Sequence, residues 1–127
     1  MARRHSLEII FEEQAKVAGF VVEQAKPIRI KKTEAVENHN GKKDKVVTYP
    51  DFYLTDPKTG QSVHVEISNG KNHDNGHKAS QMRVVEKARV ENYVQLTGQQ
   101  VKELKKTKDK KEIESLLRQM LYLLLIF

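Results

Sequence analysis

The sequence predicts an α/β fold in which a central mixed β-sheet is flanked by α-helices. Apolar side chains recur at helical spacing near the start of the chain and again over residues 79–88. Between these segments, residues 49–54 and 63–68 are strand-like runs, and residues 56–60 join them with turn-forming side chains. Helical periodicity on both sides of a hairpin indicates a sheet that is covered by helices.

The first helix is expected to begin at Ser6, a residue type that caps helix N-termini, and to end at Gly19. Its helically spaced positions are Leu7, Ile10, Phe11, Gln14, Ala15 and Ala18. Residues 20–24 and 28–32 follow as short strand-like runs. Pro27 lies between these runs and has no backbone N–H, which predicts either a bent strand or an edge strand.

The later elements are predicted from the same signals. Residues 34–45 are polar and rich in turn-forming side chains, which predicts a mobile loop. The expected elements after this loop are two central strands over 46–54 and 62–68, a polar loop over 69–76, a helix that carries Gln81, a buried strand over 93–96, and two helices over 99–106 and 109–127.

Length and charge limit the class of protein. A chain of 127 residues can build one core, so residues 1–127 are expected to form a single domain, with a core at 6–97 and two C-terminal helices at 99–127. Lys and Arg number 23 against 17 acids, and the net charge of +6 suits a polyanionic partner. The absence of cysteine excludes disulfides and thiolate zinc sites. No apolar signal segment follows the basic first residues, so a cytoplasmic location is expected.

Two carboxylates distinguish the hairpin. Asp51 follows a proline at the start of its run, and Glu66 lies in an apolar strand between Val65 and Ile67. A buried charge without a partner is costly, so Glu66 needs a compensating group. Because Mg²⁺ takes oxygen ligands from one or two carboxylates, water and phosphate, an Asp and Glu pair in a basic protein suggests phosphodiester chemistry.

The sequence Pro50-Asp51, followed fifteen positions after Asp51 by Glu66-Ile67-Ser68, resembles the PD-(D/E)xK nuclease superfamily. Over about residues 6–97 the nearest likeness is to the small Holliday junction resolvases and related phage nucleases. The resemblance implies a restriction-endonuclease-like core, Asp51 and Glu66 as ligands of Mg²⁺ or Mn²⁺, and endonuclease activity on DNA, with branched or junction DNA as a candidate substrate. Such nucleases commonly act as homodimers when they cut two strands, so a homodimer is expected.

Two further residues take their expected roles from the resemblance. Glu8 stands eleven residues before Gly19, where the resolvase-like pattern has a helical glutamate that reaches the metal site. Glu8 also has a structural explanation, because an acid in the first turn complements the helix dipole. Gln81 resembles the glutamine that often follows the metal hairpin in this superfamily and contacts the site or the strand backbone.

The chain departs from the family pattern at one position, because Ser68 stands where the motif has its lysine. That lysine acts on the attacking water and brings positive charge to the phosphate, so a lysine from another element can replace it. The candidates are Lys78, on the predicted helix, and Lys71, in the preceding loop. Lys78 is preferred because a helix fixes a side chain better than a glycine-containing loop does. Each lysine taken alone could equally be a phosphate contact.

Nucleic acid is the expected partner, most simply DNA, and RNA remains open. The side chains expected to contact phosphate are Lys42, Lys43, Lys45, Lys71, Lys78, Arg83 and Lys87. His73 and His77 have the spacing of zinc ligands on a helix, but Asn75-Gly76 interrupts a helix there. These two histidines and His64 are instead interpreted as loop residues near phosphates. Because the motif lysine is missing, the competing hypothesis is a catalytically silent relative that binds DNA or serves in an assembly.

The C-terminal segment is the most apolar part of the sequence. Its apolar residues run from Leu116 to Phe127, and a stretch of about ten is too short to cross a membrane. A helix that is apolar on every side must be buried. Two alternatives follow: the helix packs against a second copy in a dimer, or it covers the sheet within one monomer.

Overall fold

The computed structural model describes residues 6–68 and 76–121, which form a mixed α/β structure. The helices of the described residues are α1 (Ser6–Val17), α2 (Gly76–Ala88), α3 (Gly98–Lys106) and α4 (Lys110–Met120). The strands are β1 (Val21–Gln24), β2 (Ile28–Arg29), β3 (Val36–Glu37), β4 (Lys43–Lys45), β5 (Val47–Thr48), β6 (Phe52–Thr55), β7 (Ser62–Ser68) and β8 (Tyr93–Thr97). A short 3₁₀ helix occupies Lys32–Glu34.

Among the described residues, the main sheet has four strands in the order β1-β6-β7-β8. β6 pairs antiparallel with both β1 and β7, whereas β7 and β8 pair parallel, so the predicted mixed sheet is confirmed. β1 lies at one edge, which is one of the two outcomes predicted from Pro27. Parallel strands cannot be joined by a tight turn, and α2 lies in the long connection from β7 to β8.

β7 separates the two layers of the molecule. Its side chains alternate between two faces, and both faces are buried, with Val63, Val65 and Ile67 on one and His64, Glu66 and Ser68 on the other. The first face packs in the larger hydrophobic core with residues of α1, α3 and α4, such as Phe11 and Leu117. On the second face, Lys78 of α2 contacts Glu66, and Val84 and Val85 of α2 form a smaller apolar cluster with Ile28 of β2.

Local sequence signals account for the helix ends. α1 ends shortly before Gly19, whose φ of 96° is in the left-handed region that glycine adopts without strain. α3 begins with a capping box, in which the Thr97 side chain accepts from the Gln100 N–H and the Gln100 side chain accepts from the Thr97 N–H. Asp109 caps α4 by accepting from the Glu112 N–H. The predicted helix starts at Ser6 and near residues 99 and 109 are therefore confirmed within the described residues.

Two predicted strands are wrong in detail. The single strand expected over 46–54 is two strands, β5 and β6, which belong to different sheets. The break falls at Pro50, because proline has no backbone N–H to donate to a ladder of hydrogen bonds. The strand expected to be buried over 93–96 is β8, which lies at the edge of the sheet, and among its five residues only Leu96 is buried.

The loop predicted over 34–45 is also wrong, because this segment contains the hairpin of β3 and β4. Asn38 organises its turn, since Asn38 Oδ1 accepts from the Asn40 and Lys42 N–H groups at 2.7 and 3.0 Å. The Asn38 amide also donates to Asp44 Oδ1 at 2.7 Å. A polar segment is thus held in a hairpin by its own side chains.

The described part of the C-terminal segment packs inside this chain. α4 ends at Met120, and Leu121 is its C-cap residue. Leu117 and Leu121 are fully buried in the larger core, which agrees with the monomer alternative for this part of the segment. Residues 122–127, which the dimer alternative also requires, lie outside the described residues. None of the described helices is long and apolar enough to cross a membrane.

Candidate functional site

The β6–β7 hairpin brings Asp51 and Glu66 together at the end opposite its turn. Phe52 pairs with Val65, so Asp51, one residue earlier, lies opposite Glu66, one residue later. The Asp51 N–H donates to Glu66 Oε1 at 3.2 Å, and the Ile67 N–H donates to Asp51 Oδ2 at 2.7 Å. Two hydrogen bonds between side chain and backbone therefore fix the predicted pair of carboxylates.

Lys78 is the third member of this site. It comes from the first turn of α2, and its Nζ forms an ion pair with Glu66 Oε2 and donates to the Ile67 carbonyl oxygen at 3.1 Å. Glu66 is only 8% exposed, so this ammonium compensates a charge that burial would make costly. Of the two lysines predicted as substitutes, the structure places Lys78 at the acids, and Lys71 lies outside the described residues.

The electrostatics of the site are most evident at Asp51. Burial raises the pKa of Asp51 to about 6, and the nearby charge of Glu66 acts in the same direction. The hydrogen bond from the Ile67 N–H and the charge of Lys78 lower the pKa of Asp51. The charge of Glu8 raises it. Glu8 on α1 thus lies within electrostatic range of the pair. Across residues 6–68 and 76–121, no three Asp, Glu, His or Cys side chains form a metal-binding group.

Gln81 of α2 is buried beside the site and is held by a residue that sequence reasoning missed. The Tyr93 hydroxyl, from β8, donates to Gln81 Oε1 at 2.5 Å and accepts from Gln95 Nε2 at 2.9 Å. Burial raises the pKa of Tyr93, the Gln95 N–H lowers it, and the charges of Glu66 and Asp51 raise it further. The hydroxyl therefore lies near the carboxylates. In the sequence, Tyr93 is only a tyrosine at the start of a predicted strand, and that position does not reveal its contact with Gln81 of α2.

Ser68 and His64 lie on the same face of β7 as Glu66. Ser68, which occupies the position of the motif lysine, is buried and pairs with Thr97 of β8. His64 is also buried, in contrast to the loop position expected for it, and its ring packs against Tyr53 with 4.8 Å between centroids. Burial lowers the pKa of His64, and the charge of a neighbouring lysine adds to this effect. Within the described residues, His64 Nδ1 has no hydrogen-bond partner.

The predicted phosphate contacts that the structure describes lie on the α2 side of the sheet. Besides Lys78, they are Lys42, Lys43 and Lys45 of the β3–β4 hairpin and Arg83 and Lys87 of α2, together called the basic surface; all but the half-buried Lys45 are exposed. Arg83 Nη1 donates to the Glu37 carbonyl oxygen of β3 at 3.2 Å, which ties α2 to the β3–β4 hairpin. The basic surface and the acid pair are therefore both next to α2.

The site belongs to the class of paired-carboxylate sites with a lysine counterion, built on a hairpin and one helix of a mixed α/β fold. Comparison with protein-family models gave no match, and searches of curated proteins and of solved structures gave none either. His73 and the His77 side chain, on which the zinc alternative depends, lie outside the described residues. A function is therefore inferred from the positions of the residues themselves.

Proposed function

We propose that this chain is a Mg²⁺-dependent DNA endonuclease of the PD-(D/E)xK kind, with a restriction-endonuclease-like core. The observation that carries the proposal is the convergence of Asp51, Glu66 and Lys78 from the β5–β6 connection, β7 and α2. Two acids and a lysine beside a basic surface are groups that metal-assisted phosphodiester hydrolysis uses. The likeness to the small resolvases makes branched or junction DNA the favoured substrate class.

The residues at the site fit a hard divalent cation. The Asp51 and Glu66 carboxylates and the Ile67 carbonyl oxygen are oxygen donors, the type that Mg²⁺ and Mn²⁺ prefer. Bound there, the metal would supply positive charge that stabilises the phosphate in the transition state. Glu8 would add an oxygen ligand or hold a metal-bound water.

The chain's own residues would complete the reaction. Lys78 would orient the attacking water and place positive charge beside the phosphate. Gln81, fixed by the Tyr93 hydroxyl, would present its amide at the border of the site. In-line attack on phosphorus would break the bond to the 3′ oxygen and leave a 5′-phosphate, the product usual in the superfamily.

Asp51→Asn and Glu66→Gln test the proposal on a panel of linear, branched and single-stranded DNA and RNA, with Mg²⁺ and with Mn²⁺. Each variant is expected to lower the cleavage rate roughly 10²-fold or more, because each removes a charge that the reaction needs. DNA binding without metal should be unchanged or stronger, since a negative charge near phosphate is removed. Glu86→Gln, which changes an exposed acid of α2, is the matched control and should cleave like the wild type. Normal cleavage by Asp51→Asn or Glu66→Gln would rule out this active site.

A second candidate function has its own supporting observation. Ser68 is buried where the motif has its lysine, and Lys78 is already engaged by Glu66. Both facts favour a catalytically silent relative that binds DNA or serves as an assembly subunit. Metal-independent DNA binding by the wild type, with no cleavage of any substrate on the panel, would establish this alternative.

A homodimer is also part of the proposal, because cutting two strands of a junction needs two sites. Leu116 and Met120 of α4 are only partly buried beside the larger core, which leaves apolar surface near the end of the described chain. Light scattering at high protein concentration is expected to give twice the chain mass. A mass of 14.7 kDa, that of one chain, would contradict the dimer.

A further inference from the structure

We propose that Lys78 is the resident counterion of the acid pair and must leave Glu66 before a divalent cation can be bound there. This inference rests on the proposed function, because it concerns the same site. It assigns Lys78 a second role besides acting on water: it sets the affinity of the site for metal.

The contacts of Lys78 are the first part of the argument. Its Nζ lies against Glu66 Oε2 and 3.1 Å from the Ile67 carbonyl oxygen. A carboxylate oxygen and a backbone carbonyl oxygen are also the donors that hard divalent cations select. An ammonium and a divalent cation repel one another at contact distance, so both cannot hold the same two oxygens. Binding of the metal is therefore an exchange of one cation for another.

The burial of these groups is the second part. The side chains of Lys78 and Glu66 are 20% and 11% exposed, so Glu66 without a cation would be a largely desolvated charge. Lys78 neutralises that charge when no metal is bound. Its flexible four-carbon stem allows the ammonium to move while the backbone of α2 stays in place. The pair thus has two arrangements, and each keeps Glu66 compensated.

Lys78→Met tests the exchange in the full-length chain, without nucleic acid, by calorimetric titration with Mn²⁺ and by thermal unfolding. Methionine keeps much of the length of the side chain and removes the competing charge. The variant should unfold at a lower temperature than the wild type without metal, since Glu66 loses its partner. It should bind Mn²⁺ about 5- to 150-fold more tightly, the usual range of coupling between two ligands. Saturating Mn²⁺ should therefore raise its unfolding temperature more than that of the wild type.

Two further variants serve as controls. Lys102→Met removes an exposed lysine from α3, to which no part of the site belongs, and should bind Mn²⁺ like the wild type. Lys78→Arg keeps the charge and should not gain affinity. If Lys78→Met does not fold without metal, Lys78→Gln, whose amide can still donate to Glu66, is titrated in its place.

The outcomes separate this inference from the proposed function. Equal or weaker Mn²⁺ binding by Lys78→Met, with measurable binding by the wild type, overturns the exchange and leaves the metal site in place. No Mn²⁺ binding by the wild type or any variant overturns both. Loss of cleavage in Lys78→Met together with tighter metal binding is the result expected if both are correct.

Discussion

Asp51 shows how a single residue of the site differs from an ordinary surface acid. Burial, followed by the charge of Glu66, raises its pKa to about 6 from an ordinary value of 3.8. The folded chain therefore holds this proton up to about pH 6, whereas the unfolded chain releases it near pH 4. It follows that Asp51 contributes stability at low pH, and that this contribution is lost as the pH rises from about 4 through 6.

Asp51→Asn should accordingly stabilise the metal-free protein at pH 8, by about 1 to 2 kcal/mol in the free energy of unfolding. The gain is smaller than the full shift in pKa would give, because the site is partly screened by solvent. The asparagine carries no charge, and its oxygen can still accept from the Ile67 N–H. At pH 4 the two proteins should have nearly equal stability. Urea denaturation at both pH values measures this, and a variant less stable than the wild type at pH 8 would contradict it.

Tyr93 offers a second prediction at this scale. Tyr93→Phe removes the hydroxyl that donates to Gln81 Oε1, and Gln81 is buried, so its oxygen loses a partner without gaining water. We expect a loss of about 1 to 3 kcal/mol in the free energy of unfolding. Tyr49→Phe is the matched control, because Tyr49 is exposed and its change should stay within about 0.5 kcal/mol. Denaturation of the three proteins in urea checks the difference, and equal losses would show that the Tyr93 hydroxyl does not stabilise Gln81.

Among the secondary-structure elements, α4 and the β6–β7 turn are joined by charged side chains. Asp56, at 0% exposure, accepts hydrogen bonds from Arg118 through both of its oxygens. Arg118 also pairs with Glu114 at 3.0 Å, and Glu114 with Lys58 at 2.8 Å. Burial alone would raise the pKa of Asp56, but the Arg118 guanidinium and the Lys58 N–H hold it below its ordinary value. The ion pair thus fixes the turn of the hairpin that carries the site.

Arg118→Met should destabilise the fold by about 3 to 5 kcal/mol, because it leaves the buried Asp56 charge uncompensated. Lys58→Met removes a side chain that is 70% exposed and should cost only about 0 to 1 kcal/mol. Since the pKa of Asp56 is lowered by folding, its contribution is present above its ordinary value of 3.8 and is lost as the pH falls through the folded value. Chemical denaturation at pH 7 and pH 3 should show the gap between wild type and Arg118→Met narrowing in acid.

The elements also show what the sequence could and could not predict. The helices and β7 were predictable because the periodicity of a helix or strand is local. The break at Pro50 was not recognised, because the apolar run continues through it and the choice of sheet depends on distant partners. The β3–β4 hairpin was missed because its polar side chains bond within the hairpin and leave no apolar pattern.

The candidate site divides in the same way. Asp51 and Glu66 could be paired from the sequence, because a hairpin fixes which residues lie opposite one another. Lys78 was preferred over Lys71 from the sequence, but its contact with Glu66 needed the structure, since spacing alone does not specify where a helix packs against a strand. Tyr93 was missed for the same reason, because its contact with Gln81 joins β8 to α2. Sequence thus predicted local pairs, and the contacts between elements came from packing.

In the whole molecule, the main sheet separates a side with the charged residues of the site from a side covered by helices. The α2 side carries the acid pair and the basic surface, and the other side carries α1, α3 and α4. If nucleic acid binds on the α2 side, lysines there release counterions from phosphate and lysines on the other side do not. The salt dependence of binding therefore reports which side faces the nucleic acid.

The double change Lys43→Gln and Lys87→Gln should make the negative slope of log affinity against log salt less steep by roughly 2. The change is about 0.9 for each phosphate that is no longer neutralised. Lys105→Gln with Lys106→Gln removes the same charge from α3, on the other side of the sheet, and should leave the slope near the wild-type value. Fluorescence anisotropy of labelled DNA over a range of NaCl concentrations measures the slopes. A larger effect from the α3 pair would place the nucleic acid on the opposite side.

The ion pair of Asp56 and Arg118 joins residues that are 62 positions apart in the chain. A ribosome adds roughly 5 to 20 residues per second, so Asp56 is made about 3 to 12 s before its partner. Until Arg118 has been added, burying the turn of the hairpin would leave the Asp56 carboxylate without a counterion. The Asp56 end of the β6–β7 hairpin, opposite the acid pair, is therefore fully compensated only after α4 has been synthesised.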